Sequence, residues 1–226
     1  YAIDEITAVK NTVLGLAPAP DTTAYIQDEN STSFAFITDL HNAAGSMVGF
    51  RTFKTARELN NILGLDFIAL GGDNITDSIL ATQKSNLENL NYQLTGCKKF
   101  PLRGNHDDGS IWDQSLATPH PATSSTNYNV PIDIYNRMFK DIERNGVVRN
   151  PLDRGLYYYY DNSDLKIRYI FLDSVDIPYE LDSGGLLLKY QGIDDFAFRD
   201  AQLKCFANTA LRFDDDGLAV VVFSHI

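Results

Sequence analysis

Four short clusters hold most of the metal-ligand and acid–base chemistry in this chain: Asp39-Leu40-His41, Gly72-Asp73-Asn74, Gly104-Asn105-His106-Asp107 and Ser224-His225. Carboxylate and amide oxygens beside neutral imidazole nitrogens suit Mn, Fe or Zn, and the absence of cysteine from the clusters disfavours a soft thiolate site. Asp39 and His41 are two residues apart and can reach one ion from a single loop. Asp73 has two carboxylate oxygens, enough to bridge two ions, and Asn105 offers a neutral oxygen that adds no charge. Each cluster has a plainer reading taken alone. An Asp after a strand is usually a cap or turn residue, and His225 at an apolar strand end reads as a packed core histidine. Gly-Asn-His-Asp is more specific, because a turn requires neither the Asn nor the His.

The elements that must position these clusters follow from the apolar pattern. Phe34-Ala35-Phe36-Ile37, Phe67-Ile68-Ala69-Leu70 and Phe100-Pro101-Leu102 read as short buried strands. Between them, Phe50, Phe53, Ala56, Leu59 and Leu63 mark one helical face, and Leu80, Leu87, Leu90 and Leu94 a second. Strand, helix, strand, helix, strand is the pattern of a parallel sheet with covering helices. The carboxyl ends of such strands face one crevice, so clusters placed there converge. Farther on, Pro131 opens a helix through Ile142, and Tyr157–Tyr160 and Ile167–Leu172 read as strands joined by an Asp161-Asn162-Ser163-Asp164 turn. A helix over 199–212 and an apolar strand from Leu218 to Phe223 complete an expected second sheet. The glycines at 71, 72 and 104 permit tight turns that aim side chains into the crevice.

The chain has 226 residues, 44% of them hydrophobic, and a net charge of −11, which describes a globular protein with one main domain. The charge argues against sequence-independent nucleic-acid binding and against docking on anionic lipid. No apolar stretch approaches the length of a membrane helix. Residues 1–32 read as a leading helix (Ile3 to Leu16) with a Pro-containing linker, and 33–226 as the main domain. Cys97 and Cys205 read as free thiols, with a single bridge as the alternative. Polar loops over 108–130 and 173–195 are expected to line the pocket. Asp173, though it follows a strand, reads as structural, and His120 as exposed. Tyr157–Tyr160 alternates faces, two rings inward and two outward.

The ordered series Asp39-x-His41, Gly72-Asp73, Gly104-Asn105-His106-Asp107 and His225 resembles the calcineurin-like metallophosphoesterases over roughly residues 33–226. Ile170-Phe171-Leu172-Asp173-Ser174 and Gln202 through Leu211 are similar to members from Gram-positive bacteria and their phages. The resemblance implies a four-layer αββα sandwich. It implies two divalent metal ions, with Asp39 and His41 on the first, Asn105 and His225 on the second, and Asp73 bridging. It also implies that His106 assists the leaving oxygen and that Asp107 orients His106 through a hydrogen bond. Two departures stand out. Thr76 occupies a position where some relatives have Asp, with Asp77 one place later, and the chain stops at Ile226 before the family's Gly-His-x-His motif. The expectation is therefore a C-terminally truncated chain, lacking its last strands and inactive in this form, with a degenerate relative as the alternative.

The function expected is hydrolysis of a phosphate mono- or diester by a hydroxide activated between two metals. The alternative is a non-catalytic binding or structural module on the same fold, for example in a phage or cell-surface assembly. With no signal pattern after Tyr1, a cytoplasmic setting is the default expectation.

Overall fold

The computed structural model describes residues 30–42, 47–75, 80–108, 134–150, 153, 155–177, 196–211 and 217–226. The expected helix over 3–16, position 76–77, His120 and nearly all of both polar loops lie outside the described residues.

The first half forms as its pattern dictates. Strands β1 (Phe34–Ile37), β2 (Phe67–Leu70) and β3 (Lys99–Pro101) make a parallel sheet in the order β1-β2-β3, with helices α1 (Met47–Leu63) and α2 (Leu80–Gln93) as the crossovers. All four residues of the central strand β2 are buried, as expected of a strand covered on both faces. The hydrogen-bonded register pairs Phe34 with Phe67 and Ala69 with Phe100, so these residues share the face turned toward the second sheet. Phe53 and Ala56 of α1 and Leu87 and Leu90 of α2 join the same core from the helical layer.

The second sheet has the order β4-β5-β6-β7, from Val148–Arg149, Tyr158–Asn162, Ile167–Phe171 and Ala219–Phe223. Strands β5 and β6 form an antiparallel hairpin, and β7 joins β6 in parallel. The hairpin turn sits two residues later than the sequence pattern suggests. Asp161 and Asn162 stay in the ladder because the Asp161 carboxylate takes a bidentate pair from Arg168 directly opposite, at 2.7 and 2.8 Å. Strand β4 has no counterpart in the sequence reading; two residues give no period to detect. The helix expected after Pro131 is described from Ile134 as a wide turn over Tyr135–Phe139 running into a 3-10 segment, Lys140–Asn145, and ending at left-handed Gly146.

Aromatic rings cement the two sheets. Phe100 stacks on Tyr160 at 5.0 Å, Phe67 meets Tyr169 edge-on at 5.0 Å, and Phe34 meets Phe223 edge-on at 5.3 Å. Such pairs add about 0.5–1.5 kcal/mol each beyond their buried area. Tyr158 and Tyr160 face inward, while Tyr157 bonds Asp153 and Tyr159 lies against Arg168 on the outer face, the alternation expected for this run. Helix α3 (Asp200–Cys205), continued by a wide turn over Phe206–Ala210, covers that outer face, where the Arg168 guanidinium donates to the carbonyls of Thr209 and Ala210. The layers therefore run helix, sheet, sheet, helix. Both cysteines are free.

Candidate metal centre

The two sheets present their strand ends to one place. Past β1 and β2 the backbones stay in ladder contact: Asp39 N–H donates to Gly72 O, His41 N–H to Asp73 O and Asn42 N–H to Asn74 O, at 2.9–3.0 Å. This extension forces three ligand-type residues into the left-handed region, with φ of 55° at Asp39, 41° at His41 and 49° at Asp73. Non-glycine residues there are uncommon and cluster at functional sites. Two glycines make room. A side chain on Gly104 would meet the Asp73 backbone N and Oδ1, and one on Gly72, itself at φ 99°, would meet the His225 ring.

Asp73 lies at the centre of the cluster. Its Oδ2 is 3.8 Å from His41 Nε2 and 3.7 Å from His106 Nε2, and its Oδ1 is 3.4 Å from His225 Nε2. The His106 backbone N–H donates to Oδ1 at 3.0 Å. Burial favours the neutral acid, but the hydrogen-bonding and charge of His225 and His106 outweigh it and hold Asp73 below the usual carboxylate range. Thr38 Oγ1 donates to Asp39 Oδ2 at 2.7 Å, fixing that carboxylate at the exposed rim.

His225 comes from the other sheet. Its Nδ1 lies 2.9 Å from Gly71 O, which can only accept, so Nδ1 carries the proton and Nε2 is left with its lone pair. Nε2 faces two oxygens, Asp73 Oδ1 and, at 3.2 Å, Asn105 Oδ1. Three lone-pair donors converge with no hydrogen between them, an arrangement that requires a proton or a cation. The ring's basicity shows the same tension: burial lowers its pKa, but the Asp73 carboxylate raises it further, for a net increase.

All the sequence-derived ligands except Asn105, an amide, fall into two overlapping sets of candidate ligand atoms, each within 4.8 Å of one another. One is Asp39, Asp73 and His225; the other is His41, Asp73 and His106. Asp73 is common to both. Within these groups Asp39 lies with His225, and His41 with His106. His106 is as near to Asp73 as His41 is, and the two rings meet edge-on at 4.8 Å.

Asp107, expected to orient His106, has its carboxylate engaged by other donors. Its carboxylate is fully buried and accepts four N–H bonds: Asn74 N and Ile75 N on Oδ1 at 2.8 and 3.1 Å, and Asn74 Nδ2 and Gly104 N on Oδ2 at 2.9 and 2.8 Å. Burial first, and the Asp73 charge second, push its carboxyl up to about 7 against those donors. The ionised form is the one that four donors satisfy. Asp107 thus ties the Gly104–Asp107 turn to the loop after β2.

Sequence reasoning assigned no role to two residues that hold the site together. Asn74 follows the Gly-Asp pair and anchors both Asp107 and, at 2.9 Å, Leu102 O. Arg103 precedes Gly104 and pairs with Asp173, a contact in keeping with the structural reading of Asp173. The only signal was position, Asn74 inside one cluster and Arg103 beside another.

A profile of the calcineurin-like phosphoesterases matches residues 32–226. A search of curated proteins found no match. No described helix is long and apolar enough to cross a membrane. The ordered clusters, the paired sheets and the shared carboxylate converge on one conclusion: the chain belongs to the calcineurin-like phosphoesterases.

Proposed function

We propose that this site hydrolyses phosphate mono- or diesters with two divalent ions, Mn, Fe or Zn, held by Asp39, His41, Asp73, Asn105 and His225. The observation that supports it best is the donor set around Asp73: oxygen and imidazole lone pairs converge there in two groups that share one carboxylate. Bound divalent ions supply positive charge there that lowers the pKa of a water toward about 7 and offsets charge on the phosphoryl oxygens.

The chain's own residues do the rest. Asp73 stays ionised across neutral pH because its pKa is lowered. Gly71 O holds His225 in the tautomer that presents Nε2. His106 is pinned through its backbone N–H to Asp73, while its side chain keeps 25% exposure, so the ring can reach a substrate and protonate the departing oxygen.

The test is turnover of bis(p-nitrophenyl) phosphate and of p-nitrophenyl phosphate by Mn-loaded protein, alongside metal analysis. Two ions per chain and hydrolysis of either ester support the proposal. Metal binding without turnover of either favours a non-catalytic module, and no metal binding overturns the reading. His106→Asn is expected to lower kcat about 10²-fold or more while largely sparing metal content.

A further inference from the structure

A cavity of about 660 Å³ opens between the C-terminal end of α2, residues 136–145 and the start of β3. It lies at the opposite ends of the strands from the metal centre, and its volume is that of a small-molecule site. Strand β3 turns Phe100 toward the second sheet and Lys99 outward into this cleft.

Lys99 is only 7% exposed, yet among the described residues its Nζ has neither an ion-pair partner nor a hydrogen-bond acceptor. The other charges in the wall are matched. Glu88 pairs with Arg137, and Asp141 lies 3.9 Å from Arg144 while accepting from Asn91 Nδ2 at 3.2 Å. Lys99 is therefore the one cation of this wall without an ion pair among the described residues, with Asp141 acting on it only from beyond ion-pair distance, in a chain whose net charge is −11. The wall also carries unused hydrogen-bonding capacity, because Asn91 Oδ1 and Arg137 Nε are buried without partners. An ammonium on a side chain this little exposed, open only to the cleft and beyond ion-pair reach of a carboxylate, is costly to hold, and the unsatisfied buried groups beside it call for an explanation. A bound anion supplies one for Lys99.

We propose that this cleft is a second ligand site for a small monoanionic hydroxy acid, its carboxylate on Lys99 Nζ and its hydroxyls on the polar wall of Asn91, Thr95, Asn136 and Asn145. The wall sets Lys99, Arg137 and Arg144 against Glu88 and Asp141, an excess of one positive charge that matches a monoanion better than a dianion such as a phosphomonoester. The site is independent of the chemistry assigned to the metal centre.

D-gluconate is the probe, with D-glucose as the neutral match and glucose 6-phosphate as the dianion, on the whole chain stripped of metal. Cys97 lines this cleft and Cys205 lines another, so alkylation mapped by peptide mass reports occupancy in the wild type. Gluconate is expected to slow Cys97 alkylation with half-effect near or below about 1 mM. Cys205 should be unaffected, and glucose and the phosphomonoester should protect Cys97 at least tenfold more weakly. Lys99→Met, which keeps the aliphatic stem, should weaken gluconate protection at least tenfold. Absence of saturable protection by gluconate at about 10 mM, equal protection by glucose, or protection unchanged in Lys99→Met overturns the proposal. If that variant does not fold, the gluconate–glucose contrast in the wild type decides alone.

Discussion

Arg103 and Asp173 join the ends of the two sheets through a buried bidentate ion pair. Nε lies 3.1 Å from Oδ1 and Nη2 2.8 Å from Oδ2, and both side chains are at most 2% exposed. Arg103 immediately precedes the Gly104–Asp107 turn, and Asp173 follows β6. The pair is locked from behind, since Gln202 of α3 accepts from Asp173 N–H and donates to Asp173 O and Asp176 Oδ2. The turn that carries Asn105 and His106 is thereby referenced to the sheet that carries His225.

Breaking one half of this pair strips a buried guanidinium of its bidentate carboxylate. Asp173→Asn is expected to destabilise the fold by about 3–5 kcal/mol, read from urea unfolding. A double replacement, Arg103→Met with Asp173→Leu, should lie nearer the wild type, because no lone charge remains. A single variant as stable as the wild type would show that the pair is not structural.

The metal reading predicts a linkage effect centred on one carboxylate. Manganese at 100 times its Kd should stabilise the wild-type chain by about 2.7 kcal/mol, seen as a rise in Tm. Asp73→Asn removes the ligand common to both donor groups and should abolish the rise. A full shift retained in that variant would move the ions elsewhere.

Asp107 distinguishes two roles. Asp107→Asn turns an NH2 group toward N–H donors and forfeits at least one charge-assisted bond, with an expected loss of about 3 kcal/mol in metal-free melts. Metal content should fall with it, because Asn105 and His106 ride the same turn. Reduced turnover with unchanged melting and metal content would instead restore Asp107 to the task of orienting His106.

Lys99 predicts a pH dependence of stability. Burial holds its amine below the usual 10.5, partly opposed by Asp141 and Cys97. Below the depressed folded value the ammonium is charged in both states and the full penalty applies. As pH rises through that value toward 10.5, the folded chain sheds a proton that the unfolded chain keeps, and the penalty is relieved. Lys99→Met should therefore be more stable than the wild type at neutral pH, by a margin that narrows as the pH climbs. Paired urea titrations at neutral and alkaline pH check this; a constant gap would contradict it.

The sequence by itself determined the alternation of strands and helices, the clusters at the strand ends and the family. Those properties are local. Phe67–Leu70 reads as a buried strand from four consecutive apolar residues, and Asp39-x-His41 reads as a ligand pair from its spacing alone. The tertiary structure alone decided which atoms meet. Asp39 shares Asp73 with His225, 186 residues away in the chain, because parallel strands in two facing sheets end together. The fate of Asp107 depended on the loop after β2, which supplies three of its four donors. Arg103 and Lys99 show the same limit, since a charged side chain carries no periodic signal and its partner, or lack of one, is set by packing across the fold.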